Sequence, residues 1–303
     1  MTATPAQVEI PPATRSPGRL GAERRRPAEI AFRLLLMASL AVGVIFLGIL
    51  LVYVVYRGLP RLDSRLWENF PSVRRPERAG ARSAIFGTIW VIGLTALFCL
   101  PTGILAAIYM EEYADRERWF NRAIELNLQN LAAVPSIVYG ILGLGVLARA
   151  LALGQTILTA ALTLSLLVLP VVIISSREAI RAVPNSIRDG SLALGATKWQ
   201  TVWRQVLPSA VPGIATGSIL ALSRAIGEAA PLLLLGAVTY VAFNPDSLDS
   251  AYTVLPIQIY NWISQSRGEF TVLASAAIVL LLVILLAMNS IAIFIRNKYQ
   301  RRW

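Results

Sequence analysis

The chain has 303 residues, of which 56% are hydrophobic and only 15% charged, with a formal net charge of +11; a soluble domain carries about 25% charged residues. Its charges cluster between long uncharged runs, which excludes ordinary soluble domains, and its basic residues flank those runs, which assigns them to lipid headgroups and orientation rather than to nucleic acid. The absence of histidine removes the commonest metal ligand and general base, and the single cysteine, Cys99, cannot form an internal disulfide.

Residues 1–29 hold five prolines and the run Arg24-Arg25-Arg26, and read as a disordered basic tail. The apolar run that follows is too long for the core of a cleaved signal peptide. It reads as a first span, Ile30–Tyr56, with Arg33 able to snorkel to the headgroups. An outer loop, 57–83, carries seven arginines. Five more spans are expected within a core of 84–295: about Ala84–Met110, Leu126–Ala148, Ala150–Ser176, Val211–Ala242 and Thr271–Ile295. Each can cross about 30 Å of hydrocarbon at about 1.5 Å per residue. Residues 296–303 form a basic end. The expected fold is all-α, a polytopic membrane protein with about six transmembrane helices.

Pro101, Pro135, Pro170 and Pro231 break several of these spans, which a membrane helix tolerates when neighbours satisfy the freed backbone groups. Gly140, Gly143 and Gly145 permit close helix packing. Kinks and small residues suit a moving bundle and a static one alike. Six spans put both termini on one side. With a cytoplasmic N-terminus, the inner segments carry six, three, five and four basic residues and the outer ones seven, one and one. That excess favours cytoplasmic termini, with the arginine-rich first outer loop as the exception.

The inner segment 177–208 is amphipathic. Pro184 with Asn185 or Ser186 as N-cap marks a helix start, Gly195 its end, and a second helix is expected from Thr197 into the next span. Ile187, Leu192, Leu194 and Trp199 supply apolar contacts; Arg188, Asp189, Lys198 and Arg204 supply polar ones. Such a knob suits a groove on a partner protein, or lies as a linker on the headgroups. Gly190 and Gly195 have the spacing of a Walker A opening, but Ala-Thr-Lys follows and no strand precedes, so ATP hydrolysis is not expected of this chain.

Within the fifth expected span, Arg224 and Glu228 are four apart and share a helix face. A charge at the bilayer centre costs at least about 2.5–3.5 kcal/mol. One reading is an ion pair that locks the bundle. The other is an anion site or gate lined by Arg224, whose guanidinium matches phosphate and carboxylate oxygens. Both can hold at once.

Three segments carry a family resemblance. Asp189-Gly190-Ser191, Leu194-Gly195 and Val206-Leu207-Pro208 resemble the EAA loop of ABC-transporter permeases, with aspartate for glutamate and Gly190 for a helix-favouring alanine. Arg-Ala-Ile-Gly-Glu-x-Ala-Pro at Arg224–Pro231 and Val134–Gly140 resemble segments of the phosphate-specific permeases of the PstA and PstC type. The resemblance covers about residues 80–300. It implies a type I ABC importer permease fold in a bacterial cytoplasmic membrane. It implies a coupling role for Asp189, Gly190, Ser191, Leu194, Gly195 and Pro208, and phosphate passage for Arg224 and Glu228. It also implies partners: a second permease chain of PstC type, two ATPase subunits that hold ATP and Mg, and an external phosphate-binding protein. No cofactor, metal or catalytic residue is expected on this chain. Another oxyanion (sulfate, molybdate or phosphonate) is the close alternative. A secondary transporter needs no ATPase-docking loop, an intramembrane enzyme lacks its usual residues here, and a scaffold leaves Arg224 explained only as structure.

Overall fold

The computed structural model describes residues 27–115, 117–237 and 240–299. Every regular element among them is helical. The chain divides after Val52 into two units. The basic tail expected over 1–29 lies, up to residue 26, outside the described residues, as do residues 300–303 of the basic end.

Helix α1, Pro27–Gly58, is apolar on all sides, the pattern of a helix whose solvent is lipid. Its residues 29–52 are exposed.

The second unit begins with the end of α1 and then the arginine-rich loop, which is built rather than loose. It holds α2, Ser64–Glu68, between 3₁₀ turns Leu59–Arg61 and Pro76–Arg78. The Arg61 guanidinium donates to the carbonyls of Glu77, Pro76 and Ala79 at 2.6, 3.1 and 2.8 Å. Arg82 donates to the Glu68 carbonyl and stacks on Phe70. Two of the seven arginines are therefore structural, while Arg74, Arg75 and Arg78 stay exposed.

Helix α3, Arg82–Ile108, keeps Pro101 inside it and runs into a π-helical turn, Tyr109–Tyr113. The third expected span is not one straight helix. Helix α4, Trp119–Ala133, and α5, Ser136–Leu142, which continues as a π-helical segment to Ala150, meet at a bend of 103°. The residue before a proline avoids helical backbone, and Val134 takes φ −66°, ψ 130°. The Leu131 carbonyl, which Pro135 cannot serve, accepts from the Val134 amide and from the Tyr139 hydroxyl at 2.9 Å.

The fourth span starts later than expected. Residues 151–156 form a turn, with Ala152 and Gly154 at positive φ, and α6 runs Ile157–Arg181 with Thr156 as N-cap. An uncharged run cannot distinguish such an apolar turn from helix. The first-turn amides of Ile157 and Leu158 donate to the carbonyls of Ser250 and Leu248, which satisfies groups that a helix start leaves unpaired. Pro170 lies inside α6 without breaking it, as Pro101 does in α3.

The knob expected over 177–208 contains α7, Asn185–Ala193, and α8, Lys198–Thr201. A π-helical turn Val202–Val206 leads into α9, Leu207–Gly227, with Pro208 in its first turn. The fifth span therefore stops at Gly227 instead of reaching Ala242. Pro231 explains the stop, because it has no amide for the Gly227 carbonyl and its ring would clash there. Glu228 turns to extended backbone, φ −77°, ψ 111°. A short helix α10, Ala230–Leu234, follows, with Pro231 at a position that needs no amide donor. An extended return through 251–254 leads to α11, Leu255–Ile263, and then α12, Gly268–Tyr299. The Thr253 carbonyl lies so close to Gly87 that no Cβ fits.

Among the described residues five helices are long and apolar enough to cross a membrane, and the bent α4–α5 pair makes a sixth if counted as one span. The core is α6 held between α3 and α9. Gly213 and Gly217 of α9 sit against Ala179 and Ser175 of α6 with no room for a side chain, the close approach that drives helix association in lipid. Gly140 and Gly143 also mark tight contacts, whereas a Cβ at Gly145 would meet nothing within 4 Å.

Candidate functional site

Arg224 lies in the last turn of α9, and its Nε is 3.3 Å from Glu228 Oε1. The two do not share a helix face as the spacing implies. Glu228 lies just past the helix end, and its carboxylate reaches back. The Arg224 side chain is 55% exposed and that of Glu228 17%. Among the described residues the two terminal nitrogens of Arg224 make no hydrogen bond. The guanidinium is thus steered through one edge, with its fork open. Beside it, Ser223 donates to Asn289 Oδ1 of α12 at 2.7 Å, and one heptad back Arg296 donates to Thr216 at 3.0 Å. These polar contacts register α9 against α12. In the sequence Ser223 and Asn289 read only as isolated polar residues in apolar runs, and Arg296 only as the start of the basic end.

The two segments that carry the phosphate-permease resemblance meet in space. Gly140 of α5 faces Pro231 of α10, and a Cβ there would lie 2.7 Å from Pro231 Cα and 2.8 Å from its carbonyl oxygen. The glycine is what lets the two backbones touch. The break after Gly227, which sets Glu228, therefore rests directly on α5.

The knob has the turn chemistry read from the sequence. Gly195 adopts φ +83° and closes α7. Thr197 caps α8 in a reciprocal capping box with Gln200. The start differs: Pro184 is the N-cap of α7, without a side-chain bond, and Asn185 is its first residue. Asp189 and Gly190 are exposed, Ser191 is half-buried and bonds Thr201 at 2.9 Å, and Pro208 is exposed on α9. Leu194 is 90% exposed. An open groove of 580 Å³ runs along the knob, lined by residues that include Ile187, Gly190, Leu194, Gly195 and Arg204. An apolar tip beside an open groove is a docking shape. Thr197→Ala is expected to weaken α8 by about 1 kcal/mol, seen as roughly fivefold faster amide exchange at Lys198–Thr201 with the remaining helices unchanged.

The structure also assembles charges that the sequence reading left apart. Glu111, 4% exposed, takes both Nε and Nη2 of Arg181 at 3.0 Å and lies 3.5 Å from Arg177, which also reaches Glu125 of α4 at 3.0 Å. Next to it, Glu112 takes Arg188 of α7 at 2.8 and 3.2 Å. Arg188 and Glu112 have side chains 18% and 9% exposed, and removing one partner of a pair this buried costs roughly 3–5 kcal/mol. Only the density of charge at both ends of this stretch of chain hinted at the pairing, since the partners are 76 residues apart.

The sequence pattern of binding-protein-dependent transport system inner membrane components matches residues 100–300. The phosphate transport system permease protein PstA 1 of Mycobacterium tuberculosis is 32% identical over 282 residues, covering 92% of each chain. The probable ABC transporter permease protein YqgI of Bacillus subtilis is 30% identical over 241 residues, 77% of this chain and 81% of its own. A chain from the crystal structure of a bacterial ABC transporter involved in alginate import superposes with a TM-score of 0.61 at 18% identity, over 90% of this chain and 99% of that one. That last likeness shows the fold, a type I importer permease. The match over residues 100–300 and the mycobacterial relative establish the rest: the chain belongs to the binding-protein-dependent transport system inner membrane components, as a multi-pass permease subunit of an ABC importer.

Proposed function

We propose that this permease translocates inorganic phosphate. The observation that carries the reading is Arg224, a guanidinium fixed through Nε by Glu228 at the broken end of α9, with its fork unbonded among the described residues. Two parallel donors of that kind suit a tetrahedral oxyanion. A transient pathway needs binding weak enough for release, and one arginine that shares its charge with a carboxylate provides that. The relatives named for phosphate transport support the same substrate.

The rest of the machine follows the implied partners. A second permease of PstC type completes the pathway, and an external phosphate-binding protein delivers the anion. Of two ATPase subunits, holding ATP and Mg, one docks on the groove between Ile187 and Arg204 and the other on the second permease; they supply hydrolysis that this chain does not perform. Both termini and the knob face the cytoplasm. ATP-driven movement of the knob then exposes Arg224 alternately to each side.

The test is uptake of radiolabelled phosphate by the complex reconstituted in liposomes, with and without ATP on the ATPase side. Uptake that requires ATP and is not suppressed by excess sulfate, molybdate or phosphonate is expected. Transport of one of those anions in place of phosphate would sink the substrate assignment while keeping the importer.

A further inference from the structure

Helix α7 buries none of its own residues fully; apart from the half-buried Ile187, which packs against the cluster around Ile180, Val183 and Val202, its ties to the bundle are a few polar contacts. On one side, Ser191 meets Thr201 at 2.9 Å. Thr201 belongs to the continuous helical run Lys198–Gly227, whose last turn holds Arg224. On the other side stands Arg188. Its guanidinium bonds Glu112 on the π turn that ends α3, and it donates to the carbonyls of Ile180 and Val183 at the end of α6. Among the described residues it alone on α7 hydrogen-bonds α3 or the end of α6.

The neighbouring carboxylates divide the work. Glu111 holds Arg177 and Arg181 of α6, and Glu112 holds Arg188 of α7. One π turn therefore clamps α3, α6 and α7 together, with α4 joined through Arg177 and Glu125. The Glu112–Arg188 pair is largely shielded from water, so salt screens it little. A planar fork with four bonds to the chain at the ends of α3 and α6 also transmits displacement better than a single flexible contact.

We propose that Arg188 is the strut that carries movement of the docking helix into α3 and α6, while the Ser191–Thr201 contact carries it into α9. The inference rests on the importer reading above. Arg188 and Glu112 are positioning residues here. They touch neither the anion nor ATP, and their effect is on how much transport each hydrolysis event yields.

The test uses the full complex in liposomes and compares wild type, Glu112→Gln, Arg188→Gln and the double variant. Phosphate taken up and ATP hydrolysed are measured together. A cysteine placed at exposed Thr102 of α3, in a Cys99→Ala background, reports ATP-driven change by its labelling rate. Both single variants are expected to keep the ATPase subunits bound, to lower phosphate moved per ATP by about tenfold or more, and to lose the ATP-driven change at position 102. The double variant should be no worse than Arg188→Gln alone, because one contact can be lost only once. Phosphate per ATP within about twofold of wild type in Arg188→Gln, or a double loss equal to the product of the two singles, overturns the strut. Should Arg188→Gln shed the ATPases, Glu112→Gln decides. Uncoupling with the ATPases still bound supports the strut, and their loss there too overturns it, since Arg188 then only keeps α7 in shape. A wild-type complex that moves no phosphate yet changes labelling with ATP overturns the phosphate reading alone. In that case, loss of the labelling change in the variants supports the strut and its retention overturns it.

Discussion

Arg224→Gln is expected to leave the complex assembled and to lower ATP-driven phosphate uptake by roughly tenfold to a hundredfold, the equivalent of about 1.5–3 kcal/mol for hydrogen bonds to a charged group. Glutamine keeps a polar tip, on a shorter side chain, but removes the fixed charge and the fork that the anion would meet. The loss should appear in uptake and not in the amount of ATPase recovered with the permease, because Arg224 lies at the far end of α9 from the knob. Glu228→Gln separates the two roles of the pair. It frees the guanidinium from its 3.3 Å partner while leaving the charge in place, so the anion should bind more tightly and leave more slowly. If Arg224→Gln transports like wild type, Arg224 is only a structural partner of Glu228, and the pathway lies elsewhere.

The second large effect is expected at Gly140. In Gly140→Ala the new methyl would sit 2.7 and 2.8 Å from backbone atoms of Pro231. Backbone cannot swing aside as the end of a long side chain can, so α5 and α10 must separate. Overpacking of this kind costs about 1–3 kcal/mol, measurable as a lower midpoint of thermal unfolding in detergent. The functional loss should exceed what that destabilisation implies. Shifting α10 moves the break after Gly227, and with it the carboxylate that steers Arg224. Gly145→Ala is the matched control on the same segment, since its Cβ meets nothing within 4 Å; its stability and uptake should stay at wild-type levels. If the two alanine variants behave alike, the contact between the two segments is packing without consequence for transport.

Much of the chain was legible from one dimension. Long uncharged runs bounded by arginine and glutamate located the first, second and last spans to within a few residues, because exclusion of charge from hydrocarbon is a property of the run itself. The turn at Gly195 and the cap at Thr197 were legible for a similar reason: positive φ and a hydroxyl cap are local chemistry. Arg224 and Glu228 stood out because charge inside an apolar run is costly wherever it folds.

What only the tertiary structure decided was how the interrupted runs are resolved and which distant residues meet. The span prolines lack an amide, yet α3, α6 and α9 continue through Pro101, Pro170 and Pro212 while the chain breaks at Pro135 and Pro231. The outcome depends on what surrounds the freed carbonyl, as the Tyr139 hydroxyl on Leu131 illustrates, and periodicity carries no record of that. The same holds for Gly140 against Pro231 and for Glu112 against Arg188. By itself the sequence determined how many times the chain could cross the membrane and which charges it had to account for. The packing determined where the fifth span ends, which carboxylate holds each arginine, and how the knob is tied to the bundle, because those depend on contacts between residues far apart along the chain.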